Sequence, residues 1–484
     1  MRLYFLIFLV TPLFSYSFDS FDEQDFKQSS NEAHQVKILN HGLAALEERL
    51  QLIEGAKKSI DVEYYIFKQD LASQILTRAL LNKSHKGVKV RILLDYFANK
   101  KSPNPHVLSL VAQEGVEVKF FNTSPLINIY NVQYRNHRKA LIIDNETAVI
   151  GGRNIANEYF DLSEFYNFLD RDMTIHGNIV ETISKSFEAN FNSRWASHIK
   201  LVKKPHPDDF KYRDRSENSF DNQIRFKRDL KRWIKNEENA KEFLFGELDI
   251  EAIRNLGKEQ LLLAYSGTCG KLKFLSEVPS FGRKRKYARL LKDLIQSKIE
   301  EAEESIVIES PYFILTDEFK KVVDKTLDSK VNIKLLTNSI NSTDQVFVYS
   351  AFESQLYGLL HQYLDTYIAN GNRPQNYSVL PEIEFARYGI HSKSFVFDDK
   401  DFIISTFNLD PRSSDINSEL LILCEDSPEL AMLIKEDIEQ RLEETYHISS
   451  AGDLLDATYK KGKVKQIIYF LLSKIPARLL RPFL

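Results

Sequence analysis

Cysteine is scarce in this sequence: Cys269 and Cys424 are the only two among 484 residues, and they form no zinc-ligand spacing. That excludes a small disulfide-stapled fold and a cysteine-held structural metal. Cys424 ends the apolar run from Leu420, and the expectation for both is a pair of buried free thiols. Charge of one sign is also in short supply. With 65 Lys and Arg against 68 Asp and Glu the formal balance is −3, which excludes attraction of the whole surface to nucleic acid. Long hydrophobic runs are missing as well. The apolar stretch at the start, Leu3 to Phe14, contains Pro12 and falls short of the roughly 20 residues a membrane-spanning helix needs, and a polytopic membrane protein is excluded. What remains is ordinary globular composition, 43% hydrophobic and 27% charged, in a chain long enough for two to four domains.

The two ends stand apart. Met1-Arg2, the apolar stretch and then Ser15-Tyr16-Ser17 have the form of a secretory signal with a small-x-small cleavage site. Residues 1–17 are therefore expected to be a signal peptide or short apolar segment, and the protein to be exported to the cell envelope, on the periplasmic face of an inner membrane. A buried terminal strand is the alternative. At the other end, residues 451–484 read as a basic amphipathic segment. From Tyr459 to Leu484 there is no acidic residue, and Lys460, Lys461, Lys463, Lys465, Lys474, Arg478 and Arg481 are interleaved with apolar side chains. A helix lying on an anionic lipid surface fits this pattern, and so does a helix packed on the core with a solvated basic face.

Between the ends, periodicity alternates. Leu39, Leu43, Leu46, Leu50 and Ile53 share one helix face, Ile60 to Ile66 alternates as a strand, Leu71 to Leu81 is again helical and Val88 to Leu94 strand-like. The order returns with a helix through Leu290, Leu294 and Ile299, a strand at Ile306–Ile308, a helix near Phe319–Leu327 and a strand at Val331–Leu336. Ala56 to Glu63 can be laid on Ala302 to Glu309. Duplication of a whole domain explains this. The expected divisions are a first domain over 18–202, a charged linker or surface insertion over 203–265 and a second domain over 266–450. Each domain is expected to be α/β, a mostly parallel sheet flanked by helices, with the two packed about a pseudo-twofold axis.

Each copy carries the same chemistry. His137-x-Lys139-x4-Asp144 is followed after six residues by Gly151-Gly152-Arg153-Asn154, and His391-x-Lys393-x4-Asp398 after six by Ser405-Thr406-Phe407-Asn408. Residues two apart on a strand face the same side, so each His–Lys pair faces one cleft. Two imidazoles and two ammonium groups converging on a small volume suit phosphate. One histidine can attack phosphorus and the other protonate the departing oxygen, with Lys139, Lys393, Asn154 and Asn408 stabilising the transition state and carboxylates holding the imidazoles. This chemistry needs no metal and no cofactor. Asp144 and Asp398, each closing an apolar run, are read chiefly as turn-stabilising residues.

At these residues the sequence resembles the phospholipase D superfamily, whose doubled signature is HxKxxxxDxxxxxxG, a small residue and then Asn, with Ser405 here in the second Gly position. It is most similar to the bacterial cardiolipin synthase branch, including type-C-like members, through Glu158-Tyr159-Phe160, Arg171-Asp172, Ser310-Pro311-Tyr312-Phe313, Thr343-Asp344, Asn408-Leu409-Asp410-Pro411-Arg412-Ser413 and Asn417-Ser418-Glu419. The resemblance implies two similar domains sharing one site, a phosphohistidine intermediate, Asp172 as the carboxylate orienting the first imidazole and Glu419 the second. It also implies His137 as nucleophile and His391 as general acid, an order that residue chemistry alone leaves open.

The expected activity is phosphatidyl transfer that forms cardiolipin from phosphatidylglycerol and a second phospholipid, phosphatidylethanolamine being one candidate. Membrane-surface association is expected and nucleic acid is not. The alternatives are a phospholipase D-type hydrolase, a metal-independent nuclease, and an inactive membrane-associated scaffold.

Overall fold

The structure, a computed structural model, describes residues 27–30, 32–124, 133–210, 219–277, 289–461 and 463–480; the expected signal segment lies outside them. The helical spacing from Leu43 closes into the helix Gly42–Gly55, followed by the strand Ser59–Tyr64, the helix Leu71–His85 and the strand Lys89–Asp95. Asp70 starts the second helix: its carboxylate accepts from the Ser73 amide while Ser73 Oγ accepts from the Asp70 amide. The second copy repeats the series as Leu290–Glu301, Ser305–Glu309, Asp317–Asp328 and Asn332–Asn338. Leu39, expected on the first helix, instead ends the strand His34–Leu39.

Two nine-stranded sheets carry the two copies. The first runs in the order 196–198, 117–121, 89–95, 59–64, 140–143, 147–151, 172–176, 34–39, 265–269, and the second 27–30, 271–276, 420–425, 401–405, 394–397, 305–309, 332–338, 364–369, 445–448. These sheets are mixed, not mostly parallel. Parallel pairing joins 59–64, 89–95 and 117–121, and likewise 305–309, 332–338 and 364–369; every other ladder within them is antiparallel. The reason is connection length. Helical crossovers link the parallel strands, whereas the strands after each His–Lys pair return through tight turns that permit only antiparallel pairing.

The domain divisions cross in space. Strands 27–30 and 271–276 belong to the second sheet, while 34–39 and 265–269 belong to the first, so the chain passes between lobes twice at one place. That crossing brings Cys269 to Cys424 with Cα atoms 5.8 Å apart, and the two form a disulfide, which corrects the expectation of free thiols. Nothing local to either cysteine signals this, because the partners are 155 residues apart.

Within the stretch expected as a linker or insertion, the helices Ser219–Phe245 and Glu251–Leu262 clamp onto the first lobe. Arg78 donates to the carbonyls of Phe243 and Gly246, Arg254 pairs with Glu47 and Glu54, and Gln260 Oε1 accepts from the Ala44 amide. Between the lobes, Tyr166–Leu169 and Arg387–Ile390 pair in parallel as a two-stranded ribbon, one strand from each copy.

Candidate active site

The ribbon ends where the chemistry begins. His391 follows Ile390 and Asp170 follows Leu169; the His391 amide donates to the Leu169 carbonyl at 2.8 Å, and the His137 amide to the Ser418 carbonyl at 2.9 Å. Both His–Lys segments are extended but lie just ahead of the strands Ala140–Ile143 and Ser394–Phe397, because these amides pair with the opposite lobe instead of a neighbouring strand. His137, Lys139, His391 and Lys393 are all buried.

The carboxylates are exchanged between lobes. Glu419, from the second lobe, meets His137 Nδ1 with both oxygens, at 2.8 and 2.9 Å, and Asp170, from the first, meets His391 Nδ1 at 2.6 Å. Each contact places the proton on Nδ1 and leaves the Nε2 lone pair for chemistry. This corrects the assignment drawn from the resemblance. Glu419 serves the first imidazole, not the second, and Asp172 serves neither. Asp172 is the counterion of two buried guanidinium groups, Arg49 at 2.8 Å and Arg153 at 3.2 Å. Arg153 in turn donates to the Asp170 carbonyl, which anchors the residue that does reach an imidazole.

Small local differences fit each carboxylate. Gly152 leaves room for Asp170: a Cβ there would stand 2.1 Å from Asp170 Oδ1. Its counterpart Thr406 supplies a donor instead, Oγ1 to Glu419 Oε2 at 2.6 Å, and Ser413 Oγ reaches Glu419 Oε1 at 2.8 Å. Ser405, in the usual glycine position, is satisfied by donating to the Leu420 carbonyl and accepting from the Phe407 amide.

The remaining candidates divide. Lys139 Nζ donates to the His137 carbonyl at 2.6 Å, and Lys393 Nζ lies 3.0 Å from His391 Nδ1 and also donates to the His391 carbonyl. Asn154 Oδ1 accepts from the Ile66 amide; Asn408 is buried beside the helix Pro411–Asp415, its amide donating to Ser413 Oγ. Asp144 and Asp398 stand at the far ends of the two strands with φ of 56° and 47°. Each accepts three backbone amides, from Lys57, Lys58 and Ser59 and from Glu303, Glu304 and Ser305. They pin each hairpin to the start of the strand Ser59–Tyr64 or Ser305–Glu309, and they do not touch the imidazoles.

Sequence reasoning missed Asp170 and the rings that wall the imidazoles. Tyr65 meets His137 edge-on at 5.0 Å, and Tyr159 and Phe168 flank His391 at 5.0 and 4.8 Å. It also missed Glu63 and Glu309, equivalent in the two copies and buried beneath the His–Lys segments. Glu63 accepts from Asn136 and Asn190, and Glu309 from Arg171, Arg441 and Ser392.

Burial controls the electrostatics. It lowers His137 to about 4 against the pull of Glu419, and lowers His391 to about 3, with Lys393 adding to the fall and Asp170 opposing it. Burial likewise brings Lys139 to about 7 and Lys393 to about 8. Burial works to raise Asp170 and Glu419, yet His391 with Lys393, and His137 with Lys139, hold them below the ordinary carboxylate range. The unfolded chain protonates these histidines near 6.5 while the folded site resists until about 4 and about 3, so in that window the unfolded state holds more protons and stability rises with pH. The depressed carboxylates act in the same direction, their contribution being lost as pH falls through their low folded values. Melting temperature should therefore drop steeply from pH 6.5 to 4, and the drop should be shallower in the double variant His137→Asn/His391→Asn. Parallel curves would contradict this electrostatic picture.

Four buried cationic or basic groups that feel one another across the lobe boundary, Lys393 acting on His137 and Lys139 on His391, with both tautomers fixed from the opposite lobe, have the chemistry of a nucleophile and an acid for one phosphodiester. Similar proteins match over most of the chain, across both halves. The chain is 30% identical over 431 residues to an uncharacterized protein of Helicobacter pylori strain J99, covering 86% of this chain and 81% of that one. It is 28% identical over 409 residues to cardiolipin synthase C of Escherichia coli K12, covering 82% of each. Its fold matches the crystal structure of phosphatidylserine synthase from Haemophilus influenzae Rd KW20 with a TM-score of 0.63 at 14% identity, over 94% of this chain and 98% of that one. The family model described as cardiolipin synthase, PLD-like domain, matches twice, at residues 50–195 and 295–442, so each match encloses one His–Lys motif and together they take in more than half the sequence. With the duplicated motif, the two-lobed fold and the paired match agreeing, the chain belongs to the family of cardiolipin synthase, PLD-like domains.

Proposed function

We propose that this protein is a phosphatidyltransferase that makes cardiolipin from phosphatidylglycerol and a second phospholipid through a phosphohistidine. The observation that carries the reading is the exchange of carboxylates, Glu419 on His137 and Asp170 on His391, because it gives two Nε2 atoms of fixed tautomer to one site built by both lobes. His137 Nε2 attacks phosphorus and forms a P–N bond as the P–O bond to the departing glycerol breaks. His391, charged once a phosphate anion offsets its burial, gives its Nε2 proton to that oxygen. A glycerol hydroxyl of a second phosphatidylglycerol then passes its proton back to His391 while its oxygen attacks phosphorus and the P–N bond breaks, so cardiolipin leaves and the proton and the enzyme are both restored. Lys139 and Lys393 supply charge to the non-bridging oxygens, more strongly once an anion raises them from their buried values of about 7 and about 8.

The likeness to cardiolipin synthase C supports the choice of lipid substrate. The Cys269–Cys424 disulfide supports the cell-envelope placement expected from the first 17 residues, since disulfides persist in oxidising compartments. Purified protein incubated with labelled phosphatidylglycerol vesicles should yield cardiolipin with one glycerol released per molecule formed, read by mass spectrometry. Phosphatidic acid as sole product would make water the acceptor, and absence of both lipids and of labelled histidine would remove the proposal.

A further inference from the structure

The outer end of the interlobe ribbon carries two phenylalanines with almost no protein contact: Phe165 is 80% exposed and Phe385 92%. They stand together because the Arg387 amide donates to the Phe165 carbonyl where the two strands begin. The opposite end of the same strands is Asp170 and His391. Four residues of extended chain lie between Phe165 and Asp170, five rises or about 17 Å.

A second exposed apolar surface lies beside it. In the C-terminal helix Val464–Leu480, Phe470 is buried and Ile467 half-buried against the helix Val346–Leu356, with Ser350 Oγ donating to the Phe470 carbonyl. The other face presents Val464 at 75% exposure, Ile468 at 53%, Leu471 at 52% and Leu472 at 70%, the i, i+4, i+7, i+8 positions of one stripe. One turn joins the two surfaces. Asn341 donates from Nδ2 to the Lys461 carbonyl and accepts the Lys463 amide on Oδ1, while its own carbonyl accepts from Arg387; the adjacent Ser342 carbonyl accepts from Tyr166. The ribbon is thus hydrogen-bonded to Asn341 and Ser342, and the C-terminal segment to Asn341.

We infer that the Phe165/Phe385 tip and the exposed stripe of the C-terminal helix form one docking face for an anionic phospholipid bilayer, which sets the mouth of the cleft against its lipid substrate. Charge selects this occupant over a second copy of the chain. Lys461 and Lys463 are exposed at the start of the stripe, and no Asp or Glu occurs from Tyr459 to Leu484. Glu164 and Glu384 precede the two phenylalanines, so the tip supplies apolar insertion and the C-terminal segment supplies the electrostatic attraction. Among the described residues no helix is long and apolar enough to cross a membrane.

The inference rests on the proposed action on phospholipids, and the test separates the two. Flotation is measured with phosphatidylglycerol/phosphatidylcholine vesicles and with phosphatidylcholine alone, for the wild type and for the variants Phe165→Ser/Phe385→Ser and Ile468→Ser/Leu472→Ser. The side chains are exposed, so melting temperature should not move. The wild type should float with anionic vesicles, lose binding at high salt, and bind neutral vesicles at least about tenfold less. Each double variant should lose at least about tenfold in binding. Variants that float like the wild type overturn the docking face, whatever the enzyme makes. Variants that still float but turn a dimer into a monomer assign the patch to self-association and overturn it too. Wild type that floats through this face yet forms neither cardiolipin nor phosphatidic acid leaves the face standing and removes the reaction.

Discussion

Replacing His137 by alanine is expected to remove phosphatidyl transfer, a loss of at least about 10^4-fold, together with all phosphohistidine, because it removes the atom assigned to form the covalent bond. His391→Ala removes the proton donor instead. Turnover should fall by about 10^2 to 10^4-fold, while slow labelling of His137 persists, since attack on phosphorus does not require the second imidazole to be the nucleophile. Acid-labile label counted after rapid mixing with labelled phosphatidylglycerol separates the two roles. Label retained in His137→Ala and absent from His391→Ala would reverse the assignment, and full activity in either variant would contradict a shared site.

Arg171→Ala should have the largest effect on stability. Its guanidinium leaves the first lobe between Asp170 and Asp172 and is wholly buried in the second, on Glu309 at 2.8 Å, Asp437 at 2.5 Å and Ser394 Oγ at 2.7 Å. Arg441 bonds the same two carboxylates, so two cations balance two anions. Removing one cation leaves a buried negative charge without a partner, which costs about 3–5 kcal/mol. Arg171→Lys should recover little, because one ammonium cannot reach three acceptors that a planar guanidinium spans. Urea unfolding followed by fluorescence checks this; a midpoint within error of wild type would mean that water or Arg441 compensates fully. The exposed pair Lys58–Glu146 is the control, and Lys58→Ala should leave the midpoint unchanged.

Much of the framework was legible in the sequence because its determinants are local or repeated. Helical spacing from Leu43 and alternation from Ile60 are set by which faces must be buried, and both returned as elements within a few residues of expectation. Asp144 and Asp398, read chiefly as turn residues, hold the fold in a way no local pattern records, because the amides they accept lie 85 to 95 residues earlier, at the starts of the strands Ser59–Tyr64 and Ser305–Glu309. The partner of His391 was hidden for a physical reason. Asp170 and Glu419 are equivalent, each following the residue whose carbonyl accepts a histidine amide, but Asp170 lies sixteen residues after Asn154 and Glu419 only eleven after Asn408. The extra residues in the first copy form the start of the ribbon, so the signature's spacing no longer pointed to the carboxylate, and Asp172 took its place in the reading.

By itself the sequence determined that there are two copies, that each brings one histidine and one lysine two apart, and that phosphate is the anion such a set would serve. Only the tertiary structure decided who serves whom. The carboxylate on each imidazole comes from the other lobe, Cys269 finds Cys424 across a strand crossing, and Phe165 and Phe385 are both carried to the outer end of one interlobe ribbon. Periodicity records which face of an element is buried, which is a property of neighbours along the chain. Contacts between lobes depend on how two finished sheets are set against each other, and no spacing within either copy encodes that placement.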